Sequence, residues 1–138
     1  MLHATQIVTI HAPVDTIWQV ISDFGAGANY LAMVTNCNVQ GNGVGALRTL
    51  TYMDGSVILE RLEMIDEATH SLAYILLSDT SFGDCLTTMQ LRTLDSNRTE
   101  LTWTADFQPT SLPPNEVIAL MEGMLVGNCR ALKKLLEG

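Results

Sequence analysis

The spacing of apolar residues changes along the chain, and each change predicts a change of secondary structure. The first apolar residues alternate with threonine and predict a strand over 3–11. Apolar residues then recur three and four positions apart, which predicts a short helix over 14–22 that Pro13 can open. A second short helix is expected around 28–34.

From residue 36 to 107 the apolar period is two, which is typical of strands. Turns rich in Gly, Asp and Asn separate the runs, so the strands form an antiparallel meander. The last run alternates most cleanly: Trp103 and Phe107 share one face with other apolar residues, and threonines share the other. One face of the sheet is therefore expected to be buried and the other solvated. The predicted strands are 36–41, 45–53, 56–66, 69–78, 84–94 and 99–108.

The final element is predicted to be a long helix that opens at Pro113-Pro114 and runs for about 23 residues, or roughly 35 Å. A helix with one apolar face needs a partner, and the sheet offers the only large apolar surface. The fold class is therefore α+β of the helix-grip type, in which a seven-stranded antiparallel sheet wraps around the C-terminal helix. A ferredoxin-like fold would need helices between the strands, and none is predicted after residue 36. The apolar face consists of Val117, Met121, Met124, Asn128, Leu132 and Leu135.

The hairpin after residue 45 predicts a specific contact. A two-residue turn at Asp54-Gly55 would expose the apolar face of the following strand, because a one-residue slip exchanges the two faces. A loop over 53–55, with Gly55 in the left-handed conformation, restores the match. Arg48 then opposes Glu60 on the inward face, within reach of a salt bridge.

Composition and charge exclude some classes of protein and disfavour some binding partners. The chain has 138 residues, of which 47% are hydrophobic and 16% charged, so a disordered chain is excluded and one domain over 1–138 is expected. The net charge of −8 disfavours nucleic acid and anionic membranes as partners. We expect no signal peptide and no membrane insertion, and hence a cytoplasmic protein.

The sequence has few side chains in arrangements that are typical of metal sites or of nucleophilic catalysis. Cys37, Cys85 and Cys129 are far apart and are expected to be free thiols. The cysteines and histidines are too scattered for a metal site, and the sequence has neither a nucleophile motif nor a phosphate-binding glycine loop. No metal and no cofactor are therefore expected.

Several short motifs together resemble one protein superfamily. They are GVGALR at 43–48, DGSVILERLE at 54–63, IDE at 65–67, IHAP at 10–13 with Trp18, and Gly127-Asn128 with Leu132-Lys133. The chain is identified by them as similar to the polyketide cyclase/dehydrase-like (SRPBCC) branch of the START/Bet v 1 superfamily, and also to plant abscisic-acid receptors. The resemblance implies that a small apolar ligand is held between sheet and helix.

Pattern and resemblance together give the candidate ligand-binding residues, some of which have alternative interpretations. Glu60 either lines the cavity or forms a structural ion pair, and Arg48 either points inward or extends its charge to water. Asn128 either binds the ligand or bonds backbone or buried water. Tyr52 and Tyr74 either present phenols to the cavity or pack with their hydroxyls at the rim; the resemblance turns Tyr74 inward. The full set is Arg48, Leu50, Tyr52, Ile58, Glu60, Leu62, Tyr74, Leu76, Met89, Trp103, Met121, Met124 and Asn128.

Three functions compete. The first is the binding or carrying of a small hydrophobic molecule such as a lipid, polyketide or aromatic compound. The second is a cyclase- or dehydratase-type enzyme in which Glu60 is the general acid or base, and Arg48 or Tyr74 stabilises an enolate. The third is a co-chaperone-like interaction module. A homodimer is a further alternative, because small residues recur every four positions on one flank of the last helix, which is expected to lie away from the Met121, Met124 and Asn128 face. The small residues are Ala119, Gly123, Gly127 and Ala131.

Overall fold

The computed structural model describes residues 1–78 and 80–138, and it contains seven strands and two α-helices within them. The predicted turn at 79–81 begins at Asp79, which lies outside the described residues. A 3₁₀ helix follows the first α-helix. The elements are β1 (Leu2–Ile10), α1 (Val14–Ile21), the 3₁₀ helix (Phe24–Asn29), β2 (Val34–Gln40), β3 (Leu47–Tyr52), β4 (Val57–Asp66), β5 (Ser71–Leu76), β6 (Gly83–Asp95), β7 (Arg98–Gln108) and α2 (Pro114–Glu137).

The strands form one antiparallel sheet in the order β1-β7-β6-β5-β4-β3-β2. Its inner face carries the core, because alternate residues of each strand point to the same side. In β7 the apolar residues Leu101, Trp103, Ala105 and Phe107 are fully buried, as the alternation predicts. The predicted helix-grip fold is confirmed: α2 lies against this face.

The turn between β3 and β4 has the predicted form. The N–H of Tyr52 donates to the carbonyl of Ser56 at 2.8 Å, which closes a loop over 53–55. Gly55 has a φ of 87°, a conformation that L-residues rarely adopt. Arg48 and Glu60 are consequently cross-strand partners, as predicted.

Two predicted positions were wrong. A second short helix is present, as predicted, but it is a 3₁₀ helix at Phe24–Asn29, whereas it was expected around 28–34. Met64 was expected to face inward with Ile58 and Leu62, but a register shift between Leu62 and Met64 reverses the alternation and exposes Met64. A bulge of this kind leaves no periodic mark in the sequence.

The C-terminal half of α2 is fastened to β1. Lys133 Nζ donates to the carbonyl of Thr9 at 3.0 Å and to the carboxylate of Glu137 at 2.6 Å. That carboxylate also accepts from the N–H of His11 at 2.7 Å. These bonds fix the helix against one end of the sheet. Its buried residues are Val117, Met121, Leu125, Cys129 and Leu132, whereas Met124 and Leu135 of the predicted face are exposed.

Within the described residues, neither α-helix combines the length and the apolar character that a membrane span requires.

Helix α1 closes the same end of the sheet through Trp18. The Trp18 side chain is buried and packs edge-on against His70, with ring centroids 5.5 Å apart. The side chain of His70 is 28% exposed, and its backbone adopts a φ of 50° just before β5.

We expect Trp18→Ala to lower the free energy of unfolding by about 3–5 kcal/mol, because it removes a large side chain from a packed site. Gln19→Ala is the matched control, since the neighbouring Gln19 is exposed and its loss should change little. Urea denaturation of both variants measures the difference. Equal stability of the two would contradict the packing described for Trp18.

Candidate functional site

A cavity of about 730 Å³ lies between the sheet and the N-terminal half of α2. Strands β3 to β7 supply one wall and α2 supplies the other. The segment before β2 and the segment before β6 border the opening, through Met33 and Phe82 among others. The cavity is thus the part of the helix–sheet interface that core side chains do not fill.

Most of the predicted binding residues lie in the cavity wall. The wall is mainly apolar, with a few polar groups among the aliphatic and aromatic side chains, which is typical of small-molecule pockets. The predicted residues found there are Leu50, Tyr52, Ile58, Glu60, Tyr74, Leu76, Trp103, Met121, Met124 and Asn128.

Three predicted residues lie outside the described wall. Leu62 and Met89 point inward, as their alternation indicates, but they are buried in the core next to the wall, opposite Tyr74 and Trp103 respectively. Arg48 lies behind Glu60 and is only 1% exposed, which also rules out the interpretation that its charge reaches water. Alternation gives the face of a strand that a residue occupies, and it does not give its position along the cavity.

The pairing of Arg48 with Glu60 defines the polar part of the wall. Arg48 Nε donates to Glu60 Oε1 at 2.8 Å. Nη2 lies 2.7 Å from the same oxygen, but its N–H bonds are poorly aligned, so this contact is an ion pair without a hydrogen bond. Both contacts use Oε1, and no described residue donates to Oε2 of this cavity-lining carboxylate.

Two aromatic rings hold the guanidinium. Its central carbon lies 4.1 Å from the ring centre of Phe24 and 4.5 Å from that of Tyr74, which are favourable cation–π distances. Nη1 contacts the carbonyl of Phe24 at 3.5 Å. Gly27 packs tightly beside this group, since a Cβ there would lie 3.1 Å from Leu31 and 3.3 Å from Leu50. The 3₁₀ helix and β5 therefore both contribute to the burial of Arg48, which is also paired with Glu60 of β4.

Burial shifts the ionisation of these groups. It raises the pKa of Glu60, and the adjacent guanidinium of Arg48 opposes that rise. Burial by itself would lower the pKa of Arg48, but the carboxylate of Glu60 reverses the shift and raises it. Burial also raises the pKa of Tyr52 to about 12 and that of Tyr74 well above its ordinary value. Both phenols are therefore neutral hydrogen-bond donors at ordinary pH.

Asn128 connects α2 to the segment before β2. Its Oδ1 accepts from the N–H of Ala32 at 2.8 Å, so the backbone-bonding interpretation holds for the oxygen. The amide nitrogen is on the opposite corner of the group, and Asn128 lines the cavity, which leaves N–H donors available to a ligand. Gly127 lies beside the same segment, where a Cβ would meet Ala32 at 3.5 Å.

Some residues of the cavity wall were not predicted from the sequence. Cys85 and Thr87 lie four and two residues before Met89 on the same face of β6, so extending the alternation toward the start of the strand would have found them. Burial raises the pKa of the Cys85 thiol to about 11, which makes it a poor nucleophile. Met53 comes from a loop, where no period exists to reveal it.

Exposed apolar side chains surround the opening. Met33, Met53, Leu120 and Met124 line the cavity and are also substantially exposed. The N–H of Met53 donates to the carbonyl of Met33 at 2.8 Å, which ties the segment before β2 to the β3–β4 turn. Flexible methionine side chains at a pocket entrance can adapt to ligands of different shape.

Among the described residues, no group of three or more His, Cys, Asp or Glu side chains is arranged to hold a metal ion.

We expect Arg48→Met to destabilise the protein by about 3–5 kcal/mol, because it leaves the Glu60 carboxylate buried without its partner. Arg48→Met/Glu60→Leu should be more stable than Arg48→Met, because an apolar pair leaves no buried charge. Urea denaturation measures both. The control is Arg92→Met, which breaks an exposed pair with Glu100 and should cost at most about 1 kcal/mol. A double variant as unstable as the single one would contradict this description of the pair.

Comparisons with known proteins give the family to which the sequence is similar. The family model described as "Polyketide cyclase / dehydrase and lipid transport" matches residues 1–137. The abscisic acid receptor PYL6 of Arabidopsis thaliana is 32% identical over 71 residues, which are 47% of this chain and only about a third (33%) of the receptor.

Two solved structures share the fold. A START superfamily protein from Mycobacterium smegmatis has a TM-score of 0.85 at 18% identity, over 98% of this chain and 97% of that one. The Zhui aromatase/cyclase from Streptomyces sp. R1128 has a TM-score of 0.76 at 23% identity, over 97% of this chain and 90% of that one. With a family model that matches almost every residue and a START-like fold, the chain belongs to the polyketide cyclase/dehydrase and lipid transport family.

Proposed function

We propose that this protein binds a small, largely apolar molecule in the cavity between the sheet and α2. The observation that carries the proposal is the cavity itself: about 730 Å³, with a mainly apolar wall. A space of this size inside a protein would normally be filled by side chains, because voids lower stability. A space kept open beside a few polar groups is better explained by a ligand.

The opening supports the same function. Met33, Met53, Leu120 and Met124 form an apolar entrance to the cavity, and exposed apolar groups of this kind are usually kept for binding. The family description, which includes lipid transport, and the abscisic acid receptor among the relatives are consistent with an apolar ligand.

An enzyme of the cyclase or dehydratase type is the second candidate. One observation favours it: Glu60 lies in the cavity wall, and burial raises its pKa toward the range useful for a general acid or base. The fold shared with an aromatase/cyclase is consistent with it. Against it, Glu60 Oε1 is engaged by Arg48, and Arg48 is shielded from the cavity by that same pairing. The two functions differ in the fate of the bound molecule: a carrier releases it unchanged, whereas an enzyme converts it.

A homodimer through the flank of α2 stays a prediction. The flank was expected to lie away from the Met121, Met124 and Asn128 face, but Gly123 and Gly127 line the cavity with those residues. The close approach at Gly127 is made by Ala32 of the same chain. A dimer of this kind would therefore cover the cavity entrance.

A matched pair of cavity variants tests the binding proposal. N-phenyl-1-naphthylamine, a neutral apolar fluorophore, should bind the unmodified protein and gain fluorescence. Ile58→Trp/Leu76→Trp fills the cavity from two strands and should weaken binding at least about tenfold, which is a loss of about 1.4 kcal/mol.

The control is Val57→Trp/Leu77→Trp, which adds the same side chains at the exposed neighbouring positions outside the described cavity wall. It should leave the dissociation constant unchanged. Absence of binding to the unmodified protein, or equal weakening by both double variants, would contradict the proposal.

A further inference from the structure

The charged side chains in the cavity wall are all acidic among the described residues. Asp54 and Glu60 are the carboxylates in the described wall, and that wall contains no lysine, arginine or histidine. Glu60 is paired with the cation Arg48, which is almost fully buried and is separated from the cavity by Glu60. The Arg48–Glu60 pair is thus a buried dipole whose negative end faces the cavity.

The free oxygen of this dipole needs a donor. Arg48 occupies Oε1 of Glu60, and no described residue donates to Oε2. Oε2 borders the cavity, so a ligand that fills the cavity displaces the water around this oxygen, and a bound molecule that supplies an O–H or N–H would replace the lost hydrogen bond.

The charge balance decides which donor fits. Arg48 and Glu60 already neutralise each other, so a charged ligand would add an uncompensated charge to an apolar enclosure. A carboxylate or phosphate would also face the negative end of the pair. A protonated amine would compete with Arg48 and leave one cation in excess. A neutral hydroxyl satisfies Oε2 without either cost.

The other polar groups fit the same ligand. Tyr52, Tyr74 and the amide nitrogen of Asn128 are neutral donors in the wall, and they can donate hydrogen bonds to neutral oxygen atoms elsewhere on the molecule. None of them supplies the full positive charge that a buried anion requires.

We propose that the cavity selects neutral apolar molecules that carry a hydroxyl group, which donates to Glu60 Oε2, and rejects molecules that carry a carboxylate or a phosphate. This inference rests on the binding function proposed above and adds the chemical class of the ligand.

Three probes of nearly equal size separate the possibilities: 2-naphthol has a donor, 2-methoxynaphthalene has none, and 2-naphthoate is an anion. Each is titrated into the unmodified protein at neutral pH in competition with N-phenyl-1-naphthylamine. We expect 2-naphthol to bind about tenfold or more tighter than 2-methoxynaphthalene, as for a hydrogen bond to a charged group. We expect 2-naphthoate to bind at least about tenfold more weakly than 2-naphthol.

The variant Arg48→Met/Glu60→Leu removes the dipole and keeps the wall neutral. In it the preference for 2-naphthol over 2-methoxynaphthalene should fall to within about twofold, while 2-methoxynaphthalene still binds. Arg92→Met/Glu100→Leu, which removes an exposed ion pair outside the described cavity wall, is the matched control and should keep the preference. If the double variant does not fold, the probe series on the unmodified protein still decides.

The failures are distinguishable. If 2-naphthoate binds as tightly as 2-naphthol, or if 2-methoxynaphthalene equals 2-naphthol, the selection for a neutral donor is wrong and the binding function stands. If neither of the neutral probes nor N-phenyl-1-naphthylamine binds, the binding function fails and the inference fails with it.

Discussion

The buried ion pair between Arg48 and Glu60 is the constraint on which the rest of the structure depends. A guanidinium inside an apolar core is tolerated only where a carboxylate and suitable neighbours compensate it. The β3–β4 turn supplies the register that sets the two residues opposite each other. The 3₁₀ helix contributes the ring and the carbonyl of Phe24, and β5 contributes the ring of Tyr74. Three elements are thus fixed relative to one another by one side chain.

The sheet has a closed end and an open end, and the pair stands at their boundary. At the closed end, α1 packs through Trp18 and the C-terminal turn of α2 is bonded to β1 through Lys133 and Glu137. At the open end, the N-terminal half of α2 spans the cavity and is joined to the opposite border by Asn128 and Ala32. Rigidity at one end therefore supports an unfilled space at the other. Oε2 of Glu60 is the point where the polar core meets that space.

The sequence predicted the features that depend on local alternation. The apolar face of β7 and the pairing of Arg48 with Glu60 were accessible, because a one-residue error would have exposed a whole row of apolar side chains. Several residues of the cavity wall followed from the same alternation, including Ile58 and Trp103.

Features set by tertiary contacts were not accessible. The bulge before Met64 and the 3₁₀ helix at Phe24–Asn29 have no periodic pattern that would reveal them. The exposure of Met124 and Leu135 depends on how α2 rotates over the sheet. The positions of Leu62 and Met89 outside the described wall depend on where the core ends and the cavity begins, which is a property of packing across elements.

The methionine methyl groups offer the most direct measurement of where a ligand lies. The chain has seven methionines, of which Met33, Met53, Met121 and Met124 line the cavity, while Met1, Met64 and Met89 lie outside its described wall. In a spectrum of protein labelled with ¹³C at these methyls, the account predicts that saturation with N-phenyl-1-naphthylamine shifts the four cavity signals and leaves Met1 and Met64 unchanged. Shifts at Met1 or Met64 with the cavity signals unmoved would place the ligand on the outer surface and contradict the account.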